Sequence, residues 1–329
     1  AGIPLYMELG LDPGIDHMSA MNVINKIKDD GNELTSFYSF TGGLVAPDSD
    51  NNPWNYKFTW NPRNVVMAGN GVSQFIKNGR YKYIPYHRLF DRAFNRKILG
   101  YGDFEVYANR DSLKYRSIYD LKDIPSMFRG TIRRPGFSKA WNVFVRLGMT
   151  EDNYTLESSE NMTYRQFLNS FLRYEPNVPA EIKLQEYCSN AADPVVMEKL
   201  KWLGIFDERK IGLKNATPAQ ILQQLLEERW SMDPQDKDMI VMQHEFKYLT
   251  DGVEKMIVSA MAVIGKNQTE TAMAITVGLP LAIATKLLML GKFNHTGVIL
   301  PTEKQMYEPI LDELSTFGIT FEENEYLIG

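Results

Sequence analysis

The chain begins with a short apolar strand that turns directly into a helix. Residues 4–10 (PLYMELG) predict a buried strand, residues 11–14 (LDPG) a tight turn, and residues 14–30 a helix with apolar side chains on one face and Asp16 as its N-cap. A strand, a turn and a helix in immediate succession are typical of α/β folds. Such folds bind ligands at the carboxyl ends of their strands, which is where Asp12 lies.

The glycine pattern that usually accompanies such a start is missing. A nicotinamide-binding loop has the pattern G-x-G-x-x-G between a strand and a helix, because bare backbone must approach the pyrophosphate. Residues 69–74 (GNGVSQ) and 100–104 (GYGDF) contain two glycines each in unsuitable surroundings, and we interpret both as turns. The sequence therefore offers no phosphate-binding loop of this type.

Composition limits the partners and the compartment. With 329 residues, of which 44% are hydrophobic, the chain is long enough for two or more globular domains. Its formal net charge of −5 disfavours nucleic acid as a partner. The single cysteine, Cys188, cannot form an internal disulfide, which favours a reducing compartment and predicts a cytoplasmic location. The histidines lack any zinc-ligand spacing, so no metal is predicted.

One apolar stretch is long enough to suggest a membrane span. Residues 271–291 are almost entirely apolar, but Gly278-Leu279-Pro280 interrupts them and Lys286 lies among them. We therefore predict a buried helix pair or a bent helix, and no membrane partner.

The pattern of elements changes along the chain. Strands at 33–40, 55–60 and 80–86 with a helix at about 65–77 predict an alternating α/β region, whereas residues 137–230 carry helical periodicity only. Residues 237–264 predict a hairpin that turns at Asp251-Gly252.

Several polar loops are candidates for a binding site. Residues 39–53 form a glycine-rich loop after a strand. Four arginines, Arg110, Arg129, Arg133 and Arg134, lie in two short loops. Guanidinium groups bind carboxylate or phosphate through paired hydrogen bonds. A solvated basic face is the alternative, and His17 could either face a ligand or satisfy a backbone carbonyl.

Seven stretches in order resemble one family over essentially the whole chain. They are LGLDPGIDHM, GGLVAPDSDNNPWNYKFTW, YANRDSLKY, RGTIRRPGF, LKWLGIF, KDMIVMQHEF and TAMAITVGLPLAIATKLL. Together they resemble the saccharopine dehydrogenase family, in particular its NADP-dependent, glutamate-forming members. The resemblance implies that most of the family's N-terminal Rossmann domain is absent from this chain.

The resemblance also implies an α/β fold with a defined domain order. A mixed-sheet substrate and dimerisation domain carries an inserted helical subdomain, and a remainder of the Rossmann domain returns at the C-terminus. The implied bounds are 1–13 for the end of the Rossmann domain, 14–136 and 233–284 for the substrate domain, 137–232 for the helical insertion and 285–329 for the return. A homodimer is implied as well, with residues 237–264 as the candidate interface.

The family reaction implies which residues bind its ligands. It transfers a hydride between NADP(H), or NAD(H), and saccharopine or the imine of aminoadipate semialdehyde and glutamate, without a metal. Asp12, Arg110, Thr131, Ile132 and Arg133 match substrate-contacting positions, with the backbone taking part at 131–133. The matched positions beside the cofactor are Leu11, Asp12, Pro13, Trp60 and Asn61.

One departure from the family pattern concerns proton transfer. The family has a cysteine, proposed for this step, where this chain has Thr41. A threonine hydroxyl is a poor general acid or base. Either the cysteine is dispensable, or Asp12 or His17 moves the proton, or the substrate differs. We therefore expect Asp12 and Thr41 at the catalytic centre. The alternatives are a carboxynorspermidine dehydrogenase type of reductive amination and a non-catalytic binding or dimerisation module.

Overall fold

The computed structural model describes residues 2–328 as a mixed α/β fold. The strands are β1 (Pro4–Tyr6), β2 (Glu33–Val45), β3 (Val72–Lys77), β4 (Arg80–Pro85), β5 (Phe94–Ile98), β6 (Gly102–Ala108), β7 (Ser126–Arg133), β8 (Asp238–Thr250), β9 (Val253–Ile264), β10 (Gly297–Ile299) and β11 (Glu322–Leu327). The helices are α1 (Ile15–Asp29), α2 (Pro62–Val66), α3 (Tyr115–Ile118), α4 (Phe137–Leu147), α5 (Tyr164–Asn169), α6 (Ala180–Tyr187), α7 (Pro194–Leu203), α8 (Pro218–Trp230), α9 (Ala272–Met289) and α10 (Lys304–Thr316).

Nine of the described strands form one mixed sheet in the order β11-β9-β8-β2-β7-β3-β4, with β6 also on β7 and β5 on β6. The β2–β7 pair at its centre is parallel, and its neighbours are antiparallel. The far edge of β7 is shared, since Met127 pairs with β3 and residues 130–133 pair with β6. Both faces of β7 and β8 are buried, as their apolar sequences require.

Each face of the sheet has its own hydrophobic core. On one face, side chains of β2, β7 and β8 pack against α1, α9 and α10. On the opposite face, Phe40, Phe128 and Ile132 join a larger cluster that includes the helices of residues 137–230. The prediction that this region is helical is confirmed, and α8 begins at the predicted cap, where Thr217 forms a capping box with Gln220.

The predicted hairpin is also confirmed. β8 and β9 pair from Met239–Ile264 to Thr250–Val253, and both turn residues, Asp251 and Gly252, have positive φ. This conformation is the reason for the Asp-Gly sequence. The free edge of β9 is covered by β11, so a second copy of the chain has no access to the hairpin through that edge.

A second, small sheet joins the two ends of the chain. β1 and β10 pair in parallel, with Leu5 opposite Val298. Residues 285–329 were expected to return to the Rossmann domain. The last strand of this segment, β11, takes no part in the small sheet and pairs antiparallel with β9 of the main sheet.

Two local predictions are wrong. Residues 55–60 are not a strand, since Tyr56 and Phe58 pack into an aromatic core around Trp230. The helix predicted at 65–77 is instead α2 followed by β3, because β3 obtains its hydrogen bonds from β4 across the Asn78-Gly79 turn. Tertiary packing overrides the local strand pattern at 55–60, and strand pairing overrides the local helical period at 65–77.

The N-cap of α1 is also different from the prediction. Gly14 caps the helix with φ of 148°, and Asp16 lies in the first turn. A side chain at Gly14 would collide with the backbone of Gly10, so only glycine fits there.

α9 is one continuous helix, which replaces the predicted helix pair. It includes Pro280 and packs its buried side chains on the sheet and α10. By length and composition alone α9 could cross a membrane, and 28% of its apolar window is buried within the fold. Its outer face, including Val277 and Leu281, is exposed.

Candidate active site

Arg129 contacts two aspartates, one in the turn before α1 and one in the first turn of that helix. Arg129, on β7, contacts Asp12 through Nη2, and the same nitrogen lies 3.2 Å from Oδ2 of Asp16. The Arg129 guanidinium stacks on the ring of Tyr115 at 3.9 Å. The Asp12 side chain keeps 16% exposure, whereas that of Asp16 keeps 1%. Asp12 is therefore the carboxylate of this pair that a ligand can reach.

Electrostatics differ between the two carboxylates. Burial raises the pKa of Asp16 to about 6, and the neighbouring charge of Asp12 adds to the shift. His17 and Arg129 favour the ionised form and act against it. The Arg129 guanidinium thus contacts both carboxylates, and Asp16 is able to take up and release a proton near neutrality.

Two threonines lie beside this ion-pair cluster. Thr131 follows Arg129 by two residues, so both side chains lie on the same face of β7, and Thr131 pairs with Thr41 of β2. Thr41 is buried, and its hydroxyl has no hydrogen-bond partner among the described residues. A buried hydroxyl without a partner costs free energy unless a ligand or water satisfies it. Thr41 is therefore a candidate to donate a hydrogen bond to a ligand or a water molecule.

Arg133 occupies an aromatic pocket at the end of β7. Its guanidinium lies over the rings of Tyr56, Phe137 and Tyr107 at 5.1, 5.4 and 5.8 Å. The side chain is 3% exposed and donates from Nη1 to the carbonyl of Ile132, while its Nε has no partner among the described residues.

No acidic side chain of the described residues forms an ion pair with Arg133. A buried cation without a counter-ion in the chain suits an anionic ligand. The hydroxyl of Tyr56 is likewise enclosed and without a described partner, which adds a donor to the same pocket.

Two of the predicted substrate residues take different positions. Arg110 is exposed on the loop after β6, with φ of 39°, and its side chain forms no ion pair with the described residues. Ile132 points into the core on the opposite face of the sheet, so only its backbone is available to a ligand. The structure thus places Thr41, Thr131 and Asp12, the partner of Arg129, on one face of β2 and β7, whereas the rings around the Arg133 guanidinium belong to the core of the helical region. The side chains of Arg110 and Ile132 lie outside this group.

The predicted cofactor positions differ in their exposure and in their contacts within the chain. Pro13 is exposed and Leu11 is buried, next to Gly10, whose backbone approaches Val277 of α9. Trp60 is 40% exposed. Asn61 has a structural task, because its side chain accepts the N–H of Asn64 at 3.3 Å and caps α2. Exposed proline and tryptophan surfaces fit the flat face of a nicotinamide ring, whereas the chain contains no glycine-rich loop for its phosphates.

Two histidines are fully buried near the cluster. His17 bonds Tyr119 at 2.9 Å and Glu8 at 2.5 Å, and therefore has neither a free nitrogen for a ligand nor the predicted backbone carbonyl as its partner. His244 bonds Ser19 at 2.8 Å, and burial lowers its pKa to about 3. No group of three acidic, histidine or cysteine side chains among residues 2–328 is placed to hold a metal ion.

Sequence reasoning missed several members of the site. Arg129 is predicted only as one of four equivalent arginines and Asp16 only as a cap. Tyr56 lies in a predicted strand and Tyr107 in a predicted loop, and neither has a predicted role. The spacing of 129, 131 and 133 on one strand could have indicated that Arg129 and Arg133 share a face with Thr131. Nothing in the sequence indicates that Tyr56 meets Arg133, since they are far apart along the chain.

The fold and the site together define an α/β protein in which an arginine–aspartate cluster and a second, buried arginine lie along one strand of a mixed sheet. Comparison with known proteins makes this specific. The model of the saccharopine dehydrogenase C-terminal domain matches residues 10–319. The chain belongs to the saccharopine dehydrogenase family, as the sequence motifs predicted.

Individual relatives agree with this assignment. The chain is 31% identical to saccharopine dehydrogenase [NADP(+), L-glutamate-forming] of Saccharomyces cerevisiae, over 98% of this chain and 74% of that protein. It is 35% identical to the mitochondrial alpha-aminoadipic semialdehyde synthase of Rattus norvegicus, over 98% of this chain but 35% of that protein.

A solved structure confirms the fold. Apo saccharopine dehydrogenase (L-Glu forming) from Saccharomyces cerevisiae superimposes with a TM-score of 0.89 at 30% identity, over 99% of this chain and 74% of that chain. The chain therefore spans only part of each of these relatives.

Proposed function

We propose that the full-length protein is a saccharopine dehydrogenase of lysine metabolism. It transfers a hydride between NADP(H) and saccharopine, or the imine of aminoadipate semialdehyde and glutamate. The proposal is supported by the family membership and by one observation above all. The Arg133 guanidinium is buried without a described counter-ion, at the end of the strand that also carries Arg129, the partner of Asp12.

The chemistry of saccharopine explains these groups. Saccharopine carries three carboxylates and a secondary amine. Arg133 binds one carboxylate in its aromatic pocket, and the Thr41 and Tyr56 hydroxyls supply hydrogen bonds that the chain itself leaves unmade. Bidentate pairing with a carboxylate gives Arg133 an orientation as well as a charge to neutralise.

Asp12 moves the proton in this proposal. A bound nicotinamide would supply the hydride chemistry at the carbon beside the amine nitrogen, and Leu11, Pro13 and Trp60 would hold it. In the oxidative direction the Asp12 carboxylate takes the proton that the amine loses, and in the reductive direction it returns that proton. Thr41 orients the substrate through a hydrogen bond and does not exchange the proton, because its hydroxyl pKa lies far above neutrality.

The remaining assignments belong to the same proposal. We assign residues 1–13 and about 285–321 to the edge of a Rossmann domain, with β1 and β10 as its strands, and the rest to the substrate domain with its helical insertion. Leu11, Pro13 and Trp60 contact the nicotinamide. A homodimer, a cytoplasmic location, the use of NADP or NAD and the absence of a metal remain predictions. β11 restricts any hairpin interface to a face of the sheet.

A steady-state assay tests the function. We expect the full-length protein to reduce NADP with saccharopine, and the Asp12→Asn variant to lose at least about a hundredfold in kcat, as for loss of a general base. The 329-residue chain, assayed beside it, shows whether this part alone supports turnover. Saccharopine binding without any turnover of the full-length protein would instead support a binding module, and absence of both would contradict the proposal.

A further inference from the structure

We propose that Asp16 is a positioning residue for Asp12 and acts through Arg129, which contacts both carboxylates. In this arrangement the charge on Asp16 sets how much of the Arg129 charge is available to Asp12. The inference rests on the proposed function, in which Asp12 is the proton acceptor.

The geometry makes Arg129 a shared partner. Its Nη2 contacts Oδ1 of Asp12 and lies 3.2 Å from Oδ2 of Asp16. The backbone of Arg129 is held as well, since its N–H donates to the hydroxyl of Ser112 at 2.9 Å, and the guanidinium lies flat on Tyr115. Arg129 therefore cannot move toward one aspartate without weakening its contact with the other.

Asp16 is fixed and cannot reach the ligand. Its Oδ1 accepts the N–H of Gly14 at 2.6 Å, and its side chain is 1% exposed. Because Gly14 is sterically confined by Gly10, the turn that presents Asp12 and the first turn of α1 form one rigid unit. Any effect of Asp16 on chemistry is therefore transmitted through Arg129 or through its charge.

The charges around Asp16 are few and close. Arg129 of β7 and His17 of α1 favour its ionised form, and Asp12 opposes it. The hydroxyls of Tyr115 and Tyr119 face the same space from α3 and the residue that follows it.

Two further titratable groups complete the surroundings. From β8, His244 lies within range of Asp12 and Arg129 and stays neutral because it is buried. Glu8 balances His17 from the other side. One positive guanidinium thus faces two carboxylates, so neutralising Asp16 leaves the whole charge of Arg129 to Asp12.

The pH profile of the full-length protein tests this. In saccharopine oxidation, protonation of Asp16 leaves the whole charge of Arg129 to Asp12, so kcat/KM falls as the pH drops through about 6. Asp16→Asn keeps an oxygen for the Gly14 N–H and mimics the protonated form at every pH, so this acidic limb is lost. Arg129→Lys loses the fork that spans both carboxylates, so it lowers kcat and moves the same limb to higher pH.

Glu8→Gln is the matched control, because it removes a carboxylate beside α1 that does not contact Arg129. Its limb stays within about 0.2 units of the wild type. An unmoved limb in Asp16→Asn, or an equal shift in Glu8→Gln, overturns the positioning role while leaving the function intact.

If Asp16→Asn does not fold, Arg129→Lys decides alone, and an unmoved limb in that variant overturns the role. If the wild type binds saccharopine without turnover, the pH dependence of its dissociation constant replaces kcat/KM. A wild type that neither binds nor oxidises saccharopine refutes both the function and this inference.

Discussion

Arg133 shows how much a single side chain depends on what surrounds it. In the sequence it is one of four arginines in two loops, which could equally be a solvated basic face. In the structure it is buried against Tyr56, Tyr107 and Phe137 without a described counter-ion. Such a position is costly for an isolated cation, which is the physical reason to expect an anionic ligand there.

At the residue scale we predict that Arg133→Ala weakens saccharopine binding to the full-length protein by more than about 1.4 kcal/mol, or tenfold. Calorimetric titration measures this. Arg110→Ala weakens binding less, because Arg110 is exposed and water competes for its hydrogen bonds. Arg88→Ala, on the surface and paired with Asp91, is the control. Equal affinity of Arg133→Ala and the wild type would return Arg133 to a structural role.

The residue scale also separates what motifs can and cannot locate. The motifs predicted Asp12, Thr41, Thr131 and Arg133. The structure places the first three on or against one face of β2 and β7, and it buries Arg133 among aromatic rings at the end of β7. Arg129 was predicted only as one of four arginines and Asp16 only as a cap. Their importance is that the Arg129 guanidinium contacts both Asp16 and Asp12. Sequence spacing does not reveal that relation.

At the scale of elements, α9 shows how a helix N-terminus is fixed. Two side chains accept hydrogen bonds from its first N–H groups. The buried Asp238 of β8 accepts from Ala272 and Met273 at 2.6 and 2.8 Å, and Thr271 accepts from Ala274 at 2.9 Å. Asp238 therefore anchors α9 to the sheet as well as capping it.

We predict that Asp238→Ala lowers the free energy of unfolding by about 2 to 3 kcal/mol, because it leaves two buried N–H groups unpaired. Thr271→Ala, which removes only the local cap of the same helix, costs about 1 kcal/mol. Urea denaturation compares the two variants. A loss in Asp238→Ala no larger than that in Thr271→Ala would mean that the carboxylate adds nothing beyond a simple cap.

Elements also differ in how well a sequence predicts them. The α8 helix and the β8–β9 hairpin were predicted because their signals are local: a capping box and an Asp-Gly turn. The segment at 65–77 was predicted wrongly, because β3 is a strand only through its pairing with β4. The continuity of α9 through Pro280 was likewise decided by packing on the sheet and α10.

At the scale of the whole molecule, the buried His244 couples stability to pH. Burial lowers its pKa to about 3 in the folded protein, below the usual value of about 6.5. The unfolded chain therefore binds more protons between these values. The contribution of His244 is complete above about pH 6.5 and is lost as the pH falls toward 3.

We predict that His244 lowers the free energy of unfolding by up to about 1.4 kcal/mol for each unit by which the pH falls within this window. Asp16 acts in the opposite sense, since its raised pKa favours the folded state below about pH 4 and this contribution is lost as the pH rises through about 6. His244→Gln should therefore flatten the acid loss seen in the wild type, and Asp16→Asn should steepen it.

Denaturation curves at several pH values between 4 and 8 measure these slopes. Since His244→Gln also changes packing against Phe37 and Phe321, only the slopes are compared. Identical slopes in His244→Gln and the wild type would show that His244 does not stay neutral in the folded protein.

The sequence by itself determined the family, the α/β class, the helical region at 137–230 and the hairpin. All of these follow from local periodicity, caps, turns or motif order along the chain. Only the tertiary structure decided that β11 completes the main sheet on β9, that Arg129 joins Asp12 to Asp16, and that Tyr56 closes the pocket of Arg133. These contacts join residues far apart in sequence, and they form only because the sheet brings separate segments to one face.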